Sequence, residues 1–181
     1  MQSISSLGVG AFTLPHPAND ASAQKQNVEL PIWAPNGKKL MVIAGKTLFT
    51  TNPDGTGSAK ISDYGRGVPA AEDFAWSPDS QRLAYGIYGS ISVAEADGSR
   101  KIQVADSNLR RVKNSLVGWS SDSKQLLFVE QSAQDEFYLY SLPIPETLPD
   151  STQELDQSNR KRLATWSIQE FRGCRMHPIG H

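Results

Sequence analysis

Residues 76–83, Trp76-Ser77-Pro78-Asp79-Ser80-Gln81-Arg82-Leu83, read as the end of one strand, a tight turn and the start of the next. Proline presets φ in such a turn, and aspartate can accept a hydrogen bond from the backbone two residues on. The same octet stands upstream as WAPNGKKL from Trp33 and downstream as WSSDSKQL from Trp119. The tryptophans are 43 residues apart both times. Three residues after each comes Asn36, Asp79 or Asp122, and seven residues after each comes Leu40, Leu83 or Leu126. A shared period over that many positions marks a tandem structural repeat.

Working outward from each octet, a second strand is expected at Leu40–Ile43, Leu83–Gly86 and Leu126–Val129. A third is expected at Leu48–Thr51, Ile91–Ala94 and Phe137–Tyr140. Asp54-Gly55 and Asp97-Gly98 then signal hairpins. A fourth strand is expected to end near Ile61, Val104 and Leu163. Four short strands per unit without helical periodicity is the arithmetic of one β-propeller blade. The expected fold is therefore all-β: a partial propeller of three four-stranded blades plus the start of a fourth. The blades are placed at about 28–66, 71–109 and 114–166, after a leader or loosely ordered segment at 1–27. In the third unit PIPETLPDSTQELDQSN, 143–159, replaces the Asp-Gly hairpin. With three prolines, four acids and no base it reads as a solvated, extended insert. Residues 167–181 read as a truncated fourth blade, because His177-Pro178-Ile179-Gly180-His181 resembles the octet's turn and Met176 takes the tryptophan's place. Three blades fall short of the usual four to eight, so self-association or further blades in a longer protein are expected.

Composition excludes several classes. Charged residues make up 20%, apolar residues 38%, and the net charge is −1, with no basic stripe for a nucleic acid. No stretch approaches the roughly 18 apolar residues of a membrane span. Cys174 is the single cysteine, so no intrachain disulfide can form. Ala21-Ser22-Ala23 has the form of a signal-peptidase site, yet residues 1–24 carry no Lys or Arg. A secretory signal and a frayed leader, or a strand of the fold, all stay open.

The run W-S-P-D-S-x-R-L-A-Y from Trp76, followed by an apolar strand, Ala96-Asp97-Gly98 and a basic residue before Val104, resembles the TolB-type (WD40-like) β-propeller repeat. The resemblance covers residues 28–166. The third unit lacks the proline, and Asn36 stands where the acid is usual. The resemblance implies a non-catalytic module that binds or scaffolds a protein or ligand partner, in a periplasmic or secreted setting. It also implies an alternative, since similar blades form the gating domain of prolyl-oligopeptidase-like serine peptidases.

Individual residues add little chemistry. Trp33, Trp76 and Trp119 recur at one structural position and are expected in the core, beside Leu40, Leu83 and Leu126. Trp166 lies outside that register and is a freer candidate for a contact surface. Cys174, His177 and His181 form C-x2-H-x3-H, but His177 falls on the repeat's turn, and a zinc site would need further ligands. Gly118-Trp119-Ser120-Ser121-Asp122 begins like a nucleophile elbow but ends on the repeat's aspartate. No catalytic, cofactor or metal residue is assigned, and no cofactor is expected. Loops between blades supply binding faces, which makes Glu72, Asp73, Arg110, Arg111 and Lys113 candidates for a binding face.

Overall fold

The structure is a computed structural model that describes residues 28–63, 74–87, 89–105, 113–132, 134, 136–149 and 155–167. Twelve strands form three separate four-stranded antiparallel sheets. The first is the meander β1 (Val28–Trp33), β2 (Leu40–Ala44), β3 (Thr47–Thr51) and β4 (Ala59–Asp63). The second is β5 (Phe74–Trp76), β6 (Arg82–Ile87), β7 (Ser90–Glu95) and β8 (Lys101–Ala105). The third is β9 (Lys113–Trp119), β10 (Gln125–Gln131), β11 (Glu136–Pro143) and β12 (Lys161–Ser167). Among the described residues the second sheet starts at Phe74 and the third at Lys113. No helix among the described residues is long and apolar enough to cross a membrane.

The octet's turn is built the same way three times. Asn36, Asp79 and Asp122 each accept a bond on Oδ1 from the backbone two residues on, at Lys38, Gln81 and Lys124. The next residue lies at positive φ in every copy: Gly37 at 68°, Ser80 at 63° and Ser123 at 61°. Ala34, Ser77 and Ser120 then close the turn by donating to the carbonyls of Lys39, Arg82 and Gln125. Turn chemistry read from sequence thus fixes where each first strand hands over to the second.

Register fixes the equivalences further along. Between the third and fourth strands of each sheet the pairing slips by one residue: at Leu48/Phe49, Ile91/Ser92 and Leu139/Tyr140. The extra residues opposite these slips are Ile61, Val104 and Leu163, the three that the sequence aligns. Leu139, not Phe137, is consequently the counterpart of Leu48 and Ile91. The longer turn between β10 and β11 shifts the sequence alignment of this strand by two residues.

Strands alternate, so each sheet has two apolar faces, and apolar clusters fill the two gaps between neighbours. Met41, Ile43, Leu48 and Ile61 of the first sheet meet Phe74, Trp76, Leu83, Tyr85 and Ala94 of the second. Ala84, Ile91, Val93, Ile102 and Val104 of the second meet Leu126, Phe128, Tyr140 and Leu142 of the third. Two sequence expectations need correction. Trp33 is not a core residue; it is 56% exposed. Its counterparts are covered because each faces the sheet before its own, and the first described sheet has no described neighbour on that side.

The described part of the insert, likewise, is not wholly solvated. Ile144 and Leu148 are buried, and Leu155 packs beside them in the second cluster. Leu155 N–H donates to the carbonyl of Gln103 on β8 at 2.8 Å, and an Arg82 Nη donates to the Glu146 carbonyl. The physical reason lies in the hairpins it replaces. Gly98, at φ 73°, brings the second sheet's hairpin so close to the first that a Cβ there would sit 2.9 Å from the Lys60 carbonyl. Lys60 and Gln103 are equivalent by the register above. The insert therefore makes, with the Leu155 N–H, a contact on the preceding sheet's outer strand that the hairpin makes by close approach. Replacing 143–159 by a short Asp-Gly hairpin is accordingly expected to destabilise the fold. Leu148→Ala alone should cost about 2–5 kcal/mol, the usual loss for a buried leucine, measured by urea unfolding.

Candidate binding surface

The functional geometry of this chain begins with how its sheets are joined. Trp76 Nε1–H donates to the Ile32 carbonyl at 3.2 Å, and Trp119 Nε1–H donates to the Ala75 carbonyl at 3.0 Å. Both bonds span 44 residues. Beside them, Asn36 N–H donates to Ser80 Oγ and Asp79 N–H to Ser123 Oγ, each at 3.0 Å and again across 44 residues. Each joint thus uses an indole and a hydroxyl from the later sheet, and a carbonyl and an amide from the earlier one. Ser80 and Ser123 are buried at their positive φ. Serine is strained there, and the bond to the preceding turn offsets that strain. Trp76 is buried, whereas Trp119 is partly buried and packs against the second cluster. The first joint has one more link, from Thr50 Oγ1 to the Ala96 carbonyl at 2.6 Å.

The first serine and the aspartate of the octet are spent inside it. Ser77 and Ser120 hydroxyls donate to Asp79 and Asp122, and accept from the amides of Arg82 and Gln125. Ser120, the residue that sits where an elbow serine would, is held as a turn cap.

Of the sequence-predicted contact residues, Glu72, Asp73, Arg110 and Arg111 lie outside the described residues. Lys113 opens β9, and only its backbone is placed. Trp166 is described. It lies on β12 opposite Phe137, half-buried, with the two rings stacked at 6.3 Å and 10°. Its Nε1–H is buried and meets no acceptor among the described residues. Sequence reading missed the arginines beside it. Arg160 lies 4.3 Å from the Tyr140 ring centroid and pairs with Glu130 at 3.1 Å, and Arg162 lies 5.4 Å from the Tyr138 ring. The alternation Tyr138-x-Tyr140 opposite Arg162 is a signal that could have found them. Among the described residues no group of His, Cys, Asp and Glu is arranged to hold a metal ion. Cys174, His177 and His181 lie outside them.

Electrostatics follow the turns. Hydrogen bonds from Thr56, Ser99 and Ser120 hold the carboxyls of Asp54, Asp97 and Asp122 below the ordinary value of 3.8, and the Ser158 amide does the same for Asp156. Burial pushes the Tyr85 hydroxyl up, and the Glu136 carboxylate bonded to Tyr138 raises that phenol as well.

No protein-family model matches the sequence, and no curated protein matches it closely enough to count as a relative. Solved structures do match. A protein assigned as TolB from Agrobacterium tumefaciens superposes with a TM-score of 0.51 at 20% identity, covering 78% of this chain. The tricorn protease superposes with a TM-score of 0.59 at 16% identity, covering 76%. The three sheets are propeller blades. At these identities the likeness speaks for fold alone. This chain spans 47% of the first of those structures and 17% of the second.

Two measurements check the blade joints. Ser123→Ala removes the partner of the Asp79 amide and should cost about 0.5–1.5 kcal/mol in urea unfolding, the usual net contribution of one hydrogen bond. An unchanged midpoint would remove this bond from the joint. The depressed turn carboxyls set the response to acid. Their lowered folded-state values contribute stability that is present above 3.8 and lost as pH falls through the folded values. The thermal midpoint should stay level from about pH 7 to 5 and drop below about pH 4. Substituting Asn at 54, 97, 122 and 156 should flatten that drop, since Asn36 caps its turn without titrating.

Proposed function

We propose that this chain is a non-catalytic propeller module that binds or scaffolds a protein partner through the loops between its blades. One observation carries the reading. The hydroxyls of Ser77, Ser80, Ser120 and Ser123 and the carboxyls of Asp79 and Asp122, where an elbow-like motif begins, are engaged in capping turns or joining blades. The repeat builds a framework, and the chemistry left to it is recognition. Glu72, Asp73, Arg110, Arg111 and Lys113 surround the starts of the second and third blades in sequence, and such loops are where a propeller meets its partners. Trp166, half-buried on β12 and stacked on Phe137, adds an aromatic surface to these candidates.

A second reading, the propeller part of a serine peptidase, draws on the tricorn protease likeness, which is a likeness of fold. A peptidase domain encoded in the same reading frame would favour it. The first reading is tested by site-specific photo-crosslinking in cells from positions 72, 111 and 166. A protein captured from these positions, and lost when Arg110 and Arg111 are both changed to Glu at an unchanged melting temperature, supports binding. Turnover of peptide or ester substrates by the purified chain would overturn the non-catalytic reading.

A further inference from the structure

We infer that Arg162, seated over the Tyr138 ring on the third blade, takes a carboxylate from an acidic segment of a protein partner. The inference rests on the binding role proposed above and gives that role a chemistry. It starts from two arginines that share one setting. Tyr138 and Tyr140 point to the same side of β11, the side that meets the second blade. Phe128, Tyr140 and Tyr138 form a row of rings with 5.6 Å and 6.2 Å between successive centroids. The row runs from the buried Phe128 to the half-buried Tyr138. The guanidinium of Arg160 lies 4.3 Å from the Tyr140 centroid, and that of Arg162 lies 5.4 Å from the Tyr138 centroid. Both are within the roughly 6 Å at which a cation is attracted to a ring face.

Arg160 shows what such a placement does. A guanidinium held over a ring keeps its N–H edge for acceptors, in the fork that suits a carboxylate. Arg160 Nη1 donates to Glu130 Oε2 at 3.1 Å and to Gln157 Oε1 at 3.2 Å. Arg162 repeats the ring half of this arrangement and not the carboxylate half. Among the described residues no acid pairs with it, and Glu136 on β11 accepts from the Tyr138 hydroxyl instead. Arg160 is half-buried, whereas Arg162 and the adjacent Lys161 are exposed. Two positive charges therefore stand in water at the start of β12, one of them already placed over a tyrosine. A carboxylate arriving there meets the donor set that Glu130 meets at Arg160.

The position in the sheet agrees with a contact surface. Tyr138 lies opposite Glu130, and the next residue, Gln131, lies opposite Lys113. Lys113, itself a candidate for the binding face, thus opens the end of the third sheet at which Tyr138 stands. Phosphate would suit an arginine fork as well. The carboxylate is favoured because it is the acceptor that the same arrangement holds at Arg160.

Fluorescence polarisation of the full 181-residue chain with a labelled glutamate-rich peptide tests the site. The same peptide with glutamine, and again with phosphoserine, at every glutamate is run beside it. The glutamate peptide is expected to bind and the glutamine peptide to stay free. Arg162→Gln should weaken binding about tenfold, the effect of losing a hydrogen bond between charged groups. Arg162→Lys should weaken it about threefold, since lysine keeps the charge and loses the fork. Tyr138→Phe keeps the ring and should retain the affinity, whereas Tyr138→Leu should lower it. Lys46→Gln removes an exposed charge from the first blade and should change nothing. Melting temperatures equal to that of the unaltered chain confirm that each variant is folded. Equal affinity for the glutamate and glutamine peptides overturns the inference, as does a loss at Arg162→Gln that Lys46→Gln matches. Binding of the phosphoserine peptide alone overturns it too. The wider binding role is read separately: a protein captured by crosslinking from positions 72 and 111, and still captured after Arg162→Gln, leaves that role standing and removes this site.

Discussion

The indole N–H that reaches back to the preceding blade is the constraint on which the rest of this structure depends. A strand's edge carbonyl beside an apolar gap costs free energy if left unpaired. The Trp76 and Trp119 indoles satisfy such carbonyls while their rings fill the gaps. The turn after each tryptophan then has to bring the next residue to positive φ, where Ser80 and Ser123 accept the neighbouring turn's amide. The aspartates that cap these turns, the hairpins that lean on the previous blade and the two apolar clusters all follow from holding that one geometry.

Much of this was legible in the sequence because the joint repeats. Three copies of Trp, Asn or Asp, and Leu at one spacing expose the period, and the turn residues name the strand boundaries. The four-strand units and the propeller form were readable at that level. Burial was less so, because it belongs to pairs of blades and not to one unit. Trp33 has the same sequence context as Trp76, yet it lies in water, since what covers a tryptophan is the blade before it. The insert was misread for a different reason. Its prolines and acids describe its surface, while Ile144, Leu148 and Leu155, too irregularly spaced for a strand, do the packing.

The binding face is where sequence reading reached least. Charged residues in loops between blades carry no spacing rule that ties them to a ligand, so Glu72, Asp73, Arg110, Arg111 and Lys113 rest on their position alone. Trp166 is different in kind. It was picked out only for lying off the repeat's register, and its ring, half-buried and stacked on Phe137, gives that choice a physical content. The arginines over Tyr138 and Tyr140 show that the third blade also mixes charge with aromatic surface, which no single residue in the chain announces.

The joints are unequal in what they ask of each side. In the bonds common to both, the later blade must supply particular side chains, a tryptophan and a serine, whereas the earlier blade supplies an amide and a carbonyl, which every residue but proline possesses. Recognition between blades is thus written on the arriving unit. During synthesis each blade can dock as soon as its own 44-residue link is complete, without waiting for anything downstream. Each joint links a blade to the one before it, so the array can assemble unit by unit along the chain.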